Sequence, residues 1–218
     1  MPNFLETRGL KSQDIVMDAQ LIKAVPINDT DKGDEKVLAY NQPTDKIQYI
    51  PRCPEIVIKA IQHVSIVIAN GETSVQILIN EVDLDNTFLI FGGAQAFSSY
   101  LRRAVARIEL IDSTHIRAMR AGTGVVYYAS VCVVECTAGI KSIQRRTITL
   151  TGELDHDATI DEVDTDKTFV SHLSVECDGD ALYRALTRIY LLNSTTVRAN
   201  CSECDVPAIV SYEVVEFI

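Results

Sequence analysis

The stretch Arg107-Ile-Glu-Leu-Ile-Asp-Ser-Thr-His-Ile-Arg-Ala118 returns 81 residues later as Arg188-Ile-Tyr-Leu-Leu-Asn-Ser-Thr-Thr-Val-Arg-Ala199. Each version reads as a hairpin. Apolar and polar residues alternate on either side of a short polar turn, Asp112-Ser113 in the first and Asn193-Ser194 in the second, which is the period-two pattern of half-buried strands. The match extends without gaps from Leu101 to Cys136 against Leu182 to Phe217, with 15 identities in 36 positions. Upstream, Glu81-Val-Asp-Leu-Asp-Asn-Thr-Phe88 matches Glu162-Val-Asp-Thr-Asp-Lys-Thr-Phe169, and Ile61-Gln-His-Val-Ser-Ile66 matches Ile143-Gln-Arg-Arg-Thr-Ile148. Two copies of a unit of roughly 80 residues therefore fill the chain from Ile56 onward.

The same alternation continues through both copies. It predicts strands over Ser74 to Val82, Thr87 to Phe91, Arg107 to Ile111, His115 to Met119 and Val125 to Glu135 in the first. In the second it predicts Thr147 to Thr151, Ala158 to Val163, Thr168 to Leu173, Arg188 to Leu192, Thr195 to Ala199 and Ala208 to Phe217. Asn70-Gly71, Gly92-Gly93 and Asp178-Gly179 read as turns. Phe97 to Ala106 is open between a short helix and a wide connection. Short strands rich in Val, Ile and Thr, at this density, point to an all-β chain of two tandem antiparallel β-sandwich modules, residues 56–140 and 141–218.

Residues 1–55 differ. Short apolar runs (Ile15 to Met17, Leu21 to Ile27, Val37 to Tyr40, Ile47 to Ile50) are separated by polar stretches, and Pro51-Arg-Cys-Pro54 favours extended backbone before the first copy. The segment reads as an extended arm without its own core, lying on the repeats or adding strands to a neighbouring molecule.

The 218 residues are 47% hydrophobic and 23% charged, with a formal net charge of −10. That composition is globular. Apolar runs stop at roughly ten residues against the ~20 that a spanning helix needs, so no membrane partner is expected. Met1 to Leu10 lacks the apolar stretch of a secretory signal. The acidic balance argues against nucleic acid, whose phosphates require an excess of Lys and Arg. Residues 141–218 hold seven bases and fourteen acids, so 7 − 14 = −7 of the total lies in the second copy.

No constellation for catalysis or cofactor binding emerges, and neither an enzymatic site nor a cofactor is expected. Gly92-Gly93 and Gly122-Thr-Gly124 lack the Lys of a phosphate loop. His63, His115, His156 and His172 are scattered, and none is matched by His in the other copy, so they read as surface residues. Asp83/Asp85 and Asp164/Asp166 form the most repeated acidic feature. They fit a turn between strands better than a calcium loop. Arg107/Arg188 and Arg117/Arg198 alternate with apolar residues and should face outward for cross-strand ion pairs or subunit contacts. Cys53, Cys132, Cys136, Cys177, Cys201 and Cys204 fall outside the shared framework. Unpaired thiols are the expectation, with disulfides as the alternative. The lone Cys201-Ser-Glu-Cys204 pair is too little for a zinc site, and no metal is expected.

Ile140-Lys-Ser-Ile-Gln-Arg145 with Thr147-Ile-Thr-Leu150, then Ser194-Thr-Thr-Val-Arg198 and Val210-Ser-Tyr-Glu-Val-Val-Glu-Phe217, resembles a β-rich module of virion structural proteins of tailed bacteriophages. In the first copy, Lys59-Ala-Ile-Gln-His63 and Val133-Val-Glu-Cys136 are the diverged opening and closing motifs. The resemblance implies a non-enzymatic virion component, assembled in the host cytoplasm. Capsid decoration or cementing is the leading role, and the alternative is a tail, neck or fibre component that contacts a host receptor. Apart from the resemblance, a secreted carbohydrate-binding or other enzyme-associated β module is the third class. The implied partners are the major capsid protein or other virion proteins. Homo-oligomers, trimers or dimers, are expected because small sandwiches expose edge strands. Like charge is costly to desolvate on a docking face. The near-neutral first module should therefore face the virion, with Arg102, Arg103 and Arg120 as candidate docking contacts. The second should project outward through Asp155, Asp157, Asp178 and Asp180.

Overall fold

A computed structural model describes residues 55–179, 187–201 and 207–218, together with the backbone of three earlier strands. Those strands are β1 (Ile27–Asn28), β2 (Lys36–Asn41) and β3 (Lys46–Pro51), in the order β1-β3-β2. β2 and β3 pair antiparallel from Lys36↔Pro51 to Asn41↔Lys46, and β1 joins β3 in parallel. Two of the short apolar runs of the N-terminal segment, Val37 to Tyr40 and Ile47 to Ile50, are thus strands. The run Ile15 to Met17, and with it the expected attachment of the arm, lies outside the described residues. Met1–Cys53 and Pro54–Ile218 are separate compact units.

The second unit is all-β and contains both copies. The first copy comprises β4 (Val57–Ile68), β5 (Ser74–Leu78), β6 (Thr87–Ala96), a one-turn helix α1 (Leu101–Ala104), β7 (Arg107–Asp112), β8 (His115–Met119) and β9 (Tyr127–Ala138). Its strands make two antiparallel three-stranded sheets, β4-β9-β6 and β5-β8-β7. The second copy comprises β10 (Ile140–Leu150), β11 (Asp155–Thr159), β12 (Thr168–Cys177), β13 (Thr187–Asn193), β14 (Thr196–Cys201) and β15 (Ala208–Phe217). It repeats the arrangement as β10-β15-β12 and β11-β14-β13. Gly139 alone separates β9 from β10, at φ +95° with Ile56 Cα 2.7 Å from where a Cβ would sit.

Alternation builds the cores. Ile66, Ile68, Ile108, Ile116, Ala118, Tyr127 and Val131 fill the first sandwich, and Ile148, Leu150, Val197, Ala199, Val210, Tyr212 and Val214 fill the second. Each core also takes a residue from the other copy: Leu173 of β12 enters the first, and Leu101 of α1 enters the second. A third cluster spans both, with Phe88, Val134 and Cys136 packed against Ile140, Val215 and Phe169. Phe88 meets Phe169 edge to face at 5.6 Å. The copies are therefore welded through apolar packing rather than strung on a linker.

Three sequence expectations change in detail. Gly92-Gly93 is no turn. It lies inside β6, where the register with β9 slips between Phe91 and Gly93, and β12 slips at the matching place between His172 and Val175. This is a duplicated β-bulge, with Gly93 at φ +113° and its counterpart Ser174 at φ +68°. The strand beginning at Ser74 ends at Leu78 rather than Val82, and the one expected over Ala158 to Val163 instead runs from Asp155 to Thr159. Beyond each, the amides of Ile79 and Val82, and of Ile160 and Val163, bond to carbonyls of the β7–β8 and β13–β14 turns before Asp83 and Asp164 cap 3-10 turns.

Candidate functional site at the seam between the copies

Each copy is closed by the same buried carboxylate. Glu135 accepts from Lys59 Nζ at 2.8 Å and from the Asp83 amide at 3.0 Å. Glu216 accepts from Lys141 Nζ at 2.8 Å and from the Asp164 amide at 2.7 Å. Burial pushes both carboxyls up, yet the ammonium and the amide outweigh it and hold both below the ordinary value. Gln62 ties the Asn80 backbone through both its amide oxygen and its amide nitrogen, as Gln144 ties that of Asp161. Asp83 and Asp164 accept from the amides of Asp85 and Asp166, so the first member of each acidic pair caps a turn that holds the second, as the turn reading has it. The opening Lys-x-x-Gln and the closing Val-Val-Glu are thus the two halves of one staple.

Where the copies diverge, the seam appears. Arg145 and Glu213 stand where the first copy has His63 and Cys132. Glu213 is 1% exposed. One carboxylate oxygen accepts from Arg145 Nε at 3.0 Å and the other from the Leu89 amide, in the first copy, at 2.6 Å. The same Arg145 donates to the carbonyls of Leu84 at 2.8 Å and Thr87. Ser171 Oγ donates to the Leu89 carbonyl at 2.6 Å. β6 is an edge strand, so the outward amide and carbonyl of Leu89 would otherwise be unpaired. Burial lifts the Glu213 carboxyl to about 7 against the pull of Arg145 and the Leu89 amide. Beside it opens a cleft of about 380 Å³ between residues 108–111 of the first copy and residues 145–147 and 211–213 of the second. Glu109, on its wall, holds Arg107 and Arg117 (2.7 Å) and accepts from Ser211 Oγ at 3.3 Å, while Arg107 reaches Glu176 at 2.7 Å. The Tyr212 hydroxyl is buried here without a hydrogen-bond partner among the described residues, and burial raises it to about 12. The geometry binds one copy to the other.

The three candidate docking arginines have different fates. Arg120 is 1% exposed. Its guanidinium donates to the carbonyls of Ala69 (3.0 Å), Glu72 (2.9 Å) and Arg103 (3.0 Å), stitching the β4–β5 turn to α1. It is an internal brace and cannot meet a partner. Arg102 and Arg103 are half-buried on α1, with guanidiniums 5.9 and 4.7 Å from the Tyr100 ring centroid. Arg117 and Arg198 make the cross-strand ion pairs their alternation suggests, Arg198 to Asp157 at 2.6 Å. Arg198 also reaches Asp155 at 3.4 Å, so part of the acidic surface is already compensated. Asp180 lies outside the described residues.

Of the histidines, His172 departs from the surface reading. It is half-buried against the Thr187 hydroxyl at 3.0 Å, and burial lowers its pKa. Cys132 and Cys136 carry free thiols, Cys132 with Sγ 3.3 Å from His63 Nδ1. Cys201 is disulfide-bonded, so the thiol expectation fails there. Cys53 and Cys204 lie outside the described residues. Among the described residues, no three metal-ligating side chains gather.

The sequence-level signal for the seam was available but indirect. At aligned outward positions one copy carries Arg and Glu while the other carries His and Cys, a substitution that a shared fold does not require.

No family model, curated protein or solved structure matches the chain.

Proposed function

We propose that the protein is a non-enzymatic structural component of a tailed-bacteriophage virion, decorating or cementing the capsid. The observation that carries this reading is the resemblance at the motifs opening and closing each copy. These are the residues that make the staple: Lys141, Gln144 and Glu216 in the second copy, and Lys59, Gln62 and Glu135 in the first. A staple duplicated and then welded through a shared core suits a rigid exterior part. The partner is the major capsid protein or another virion protein. Arg102 and Arg103 are the remaining candidate contacts on the near-neutral first copy.

The test is location and stoichiometry in a reconstructed particle. Hundreds of copies over the shell support the reading. A few dozen at the neck or tail move the protein to that role, and purified particles without the chain refute a virion role altogether. In a particle-binding assay, Arg102→Glu with Arg103→Glu should weaken attachment, more so at low salt, where repulsion is less screened.

A further inference from the structure

The weld inside the chain is head-to-tail. The outer face of sheet β10-β15-β12 lies on the edge of the first copy made by β6 and β7. Because the fold is duplicated, each chain also carries a second version of each half, which is not joined in this way among the described residues. The matching face is the outer surface of β4-β9-β6, and the matching edge is that of β12 and β13.

Both of these second versions have changed chemistry, and in the same direction. On the face, Glu213, Arg145 and Ser171 correspond to Cys132, His63 and Ile90. On the edge, Glu109 corresponds to Tyr190. At these positions charged or polar groups have given way to apolar or aromatic ones, while Arg188 keeps the cation of Arg107. On the face, Ile61 (48% exposed), Val67 (43%), Ile90 (45%) and Tyr128 (46%) surround Ser130 and Cys132. On the edge, Leu192 is 42% exposed. Beside it Tyr190 is stacked by Arg188 at 4.4 Å. The edge backbone is also open. Leu89 has its amide and carbonyl taken by Glu213 and Ser171, whereas the corresponding Val170 on edge strand β12 has no such partner among the described residues. An apolar sheet face opposite a backbone edge with apolar side chains is a complementary pair.

We infer that a second copy of this chain docks head-to-tail, its β12–β13 edge on the outer face of β4-β9-β6, repeating between chains the contact made within each chain. Such a heterologous contact closes into a ring, of which a trimer is the smallest ordinary case, or continues as a filament. It stands whether or not the protein belongs to a virion.

Sedimentation velocity of the full chain from about 1 to about 100 μM tests the contact. The wild type should self-associate. Tyr128→Glu on the face and Leu192→Glu on the edge should each weaken association at least about tenfold while keeping the wild-type thermal transition. Ile90→Glu and Tyr190→Glu are the second variants for each side. Mixing a face variant with an edge variant leaves one intact face and one intact edge, so the mixture should form a heterodimer and nothing larger. A wild type that stays monomeric at the top concentration overturns the inference, and so does an edge variant that associates normally, because face would then be meeting face. A mixture of the two variants that remains monomeric also overturns it.

Discussion

Glu213 in the second copy accepts a 2.6 Å hydrogen bond from the backbone amide of Leu89 in the first, and both residues are sealed from solvent. The pairing joins two features that are awkward alone. An edge strand leaves Leu89 with an unpaired amide, and a carboxylate in an apolar seam lacks solvation. Together with Arg145 they satisfy each other, next to the apolar cluster of Phe88 and Val215 that joins the two copies.

The first prediction follows from the proton on Glu213. Its folded pKa, about 7, lies above the ordinary 4.5. Between these values the folded state holds a proton that the unfolded state releases, so this stabilisation is complete below pH 4.5 and is lost as pH rises through 7. At about 1.4 kcal/mol per unit the ceiling is roughly 3 kcal/mol. His172, lowered by burial, acts with the opposite sign, gaining stability up to its ordinary 6.5. The difference between wild type and Glu213→Gln cancels it. Urea unfolding at pH 5 and pH 8 should show the wild type losing stability relative to the variant. Parallel pH profiles would refute the assignment.

A second prediction concerns the staple. Glu216→Ala removes the acceptor of the Asp164 amide and leaves that part-buried donor without its partner, which should cost about 1–2 kcal/mol in urea unfolding. Glu135→Ala should cost about as much, because the Asp83 amide is held the same way. Lys141→Ala should matter far less, since its ammonium remains in water. Equal losses from Lys141→Ala and Glu216→Ala would show that the ion pair, not the amide bond, is the stabilising element.

Arg120 supplies a third. Arg120→Ala leaves the carbonyls of Ala69, Glu72 and Arg103 without their donor and opens a buried space, at a cost of roughly 2–4 kcal/mol. Arg120→Lys should recover less than half, because one ammonium cannot reproduce a planar fork reaching three carbonyls. Full rescue by Lys in thermal unfolding would count against this geometry. Any particle-binding test of the basic patch should therefore leave Arg120 intact.

The legible parts of the fold were those fixed locally. The hairpin from Arg107 to Met119 follows from alternation around Asp112-Ser113, and the capping role of Asp83 needs only a carboxylate two residues before an amide. The seam is not local. Glu213 sits in Val-Ser-Tyr-Glu-Val-Val, where its alternation says only that it faces away from its own core. Which surface it meets depends on how the two copies stack. Arg120 follows the last residue of β8, beyond the reach of strand periodicity, so nothing in the sequence separated a buried brace from a surface cation. The Gly92-Gly93 pair misleads because a bulge and a turn call on the same conformational freedom.

The last prediction uses that bulge. Gly93 and Ser174 occupy equivalent positions at φ +113° and +68°, but only the glycine adopts such backbone without a Cβ penalty. The second copy therefore carries strain that the first avoids. Ser174→Gly should relieve it, offset in part by the added freedom of glycine in the unfolded chain, so stability should stay level or rise by less than about 1 kcal/mol. Ser174→Val places a β-branched side chain at positive φ and should cost more than roughly 2 kcal/mol, or force the bulge to shift register against β15. Thermal and urea unfolding of both variants decide it. Should Val be tolerated and Gly be the damaging change, the Ser174 side chain rather than its backbone would be what the bulge requires.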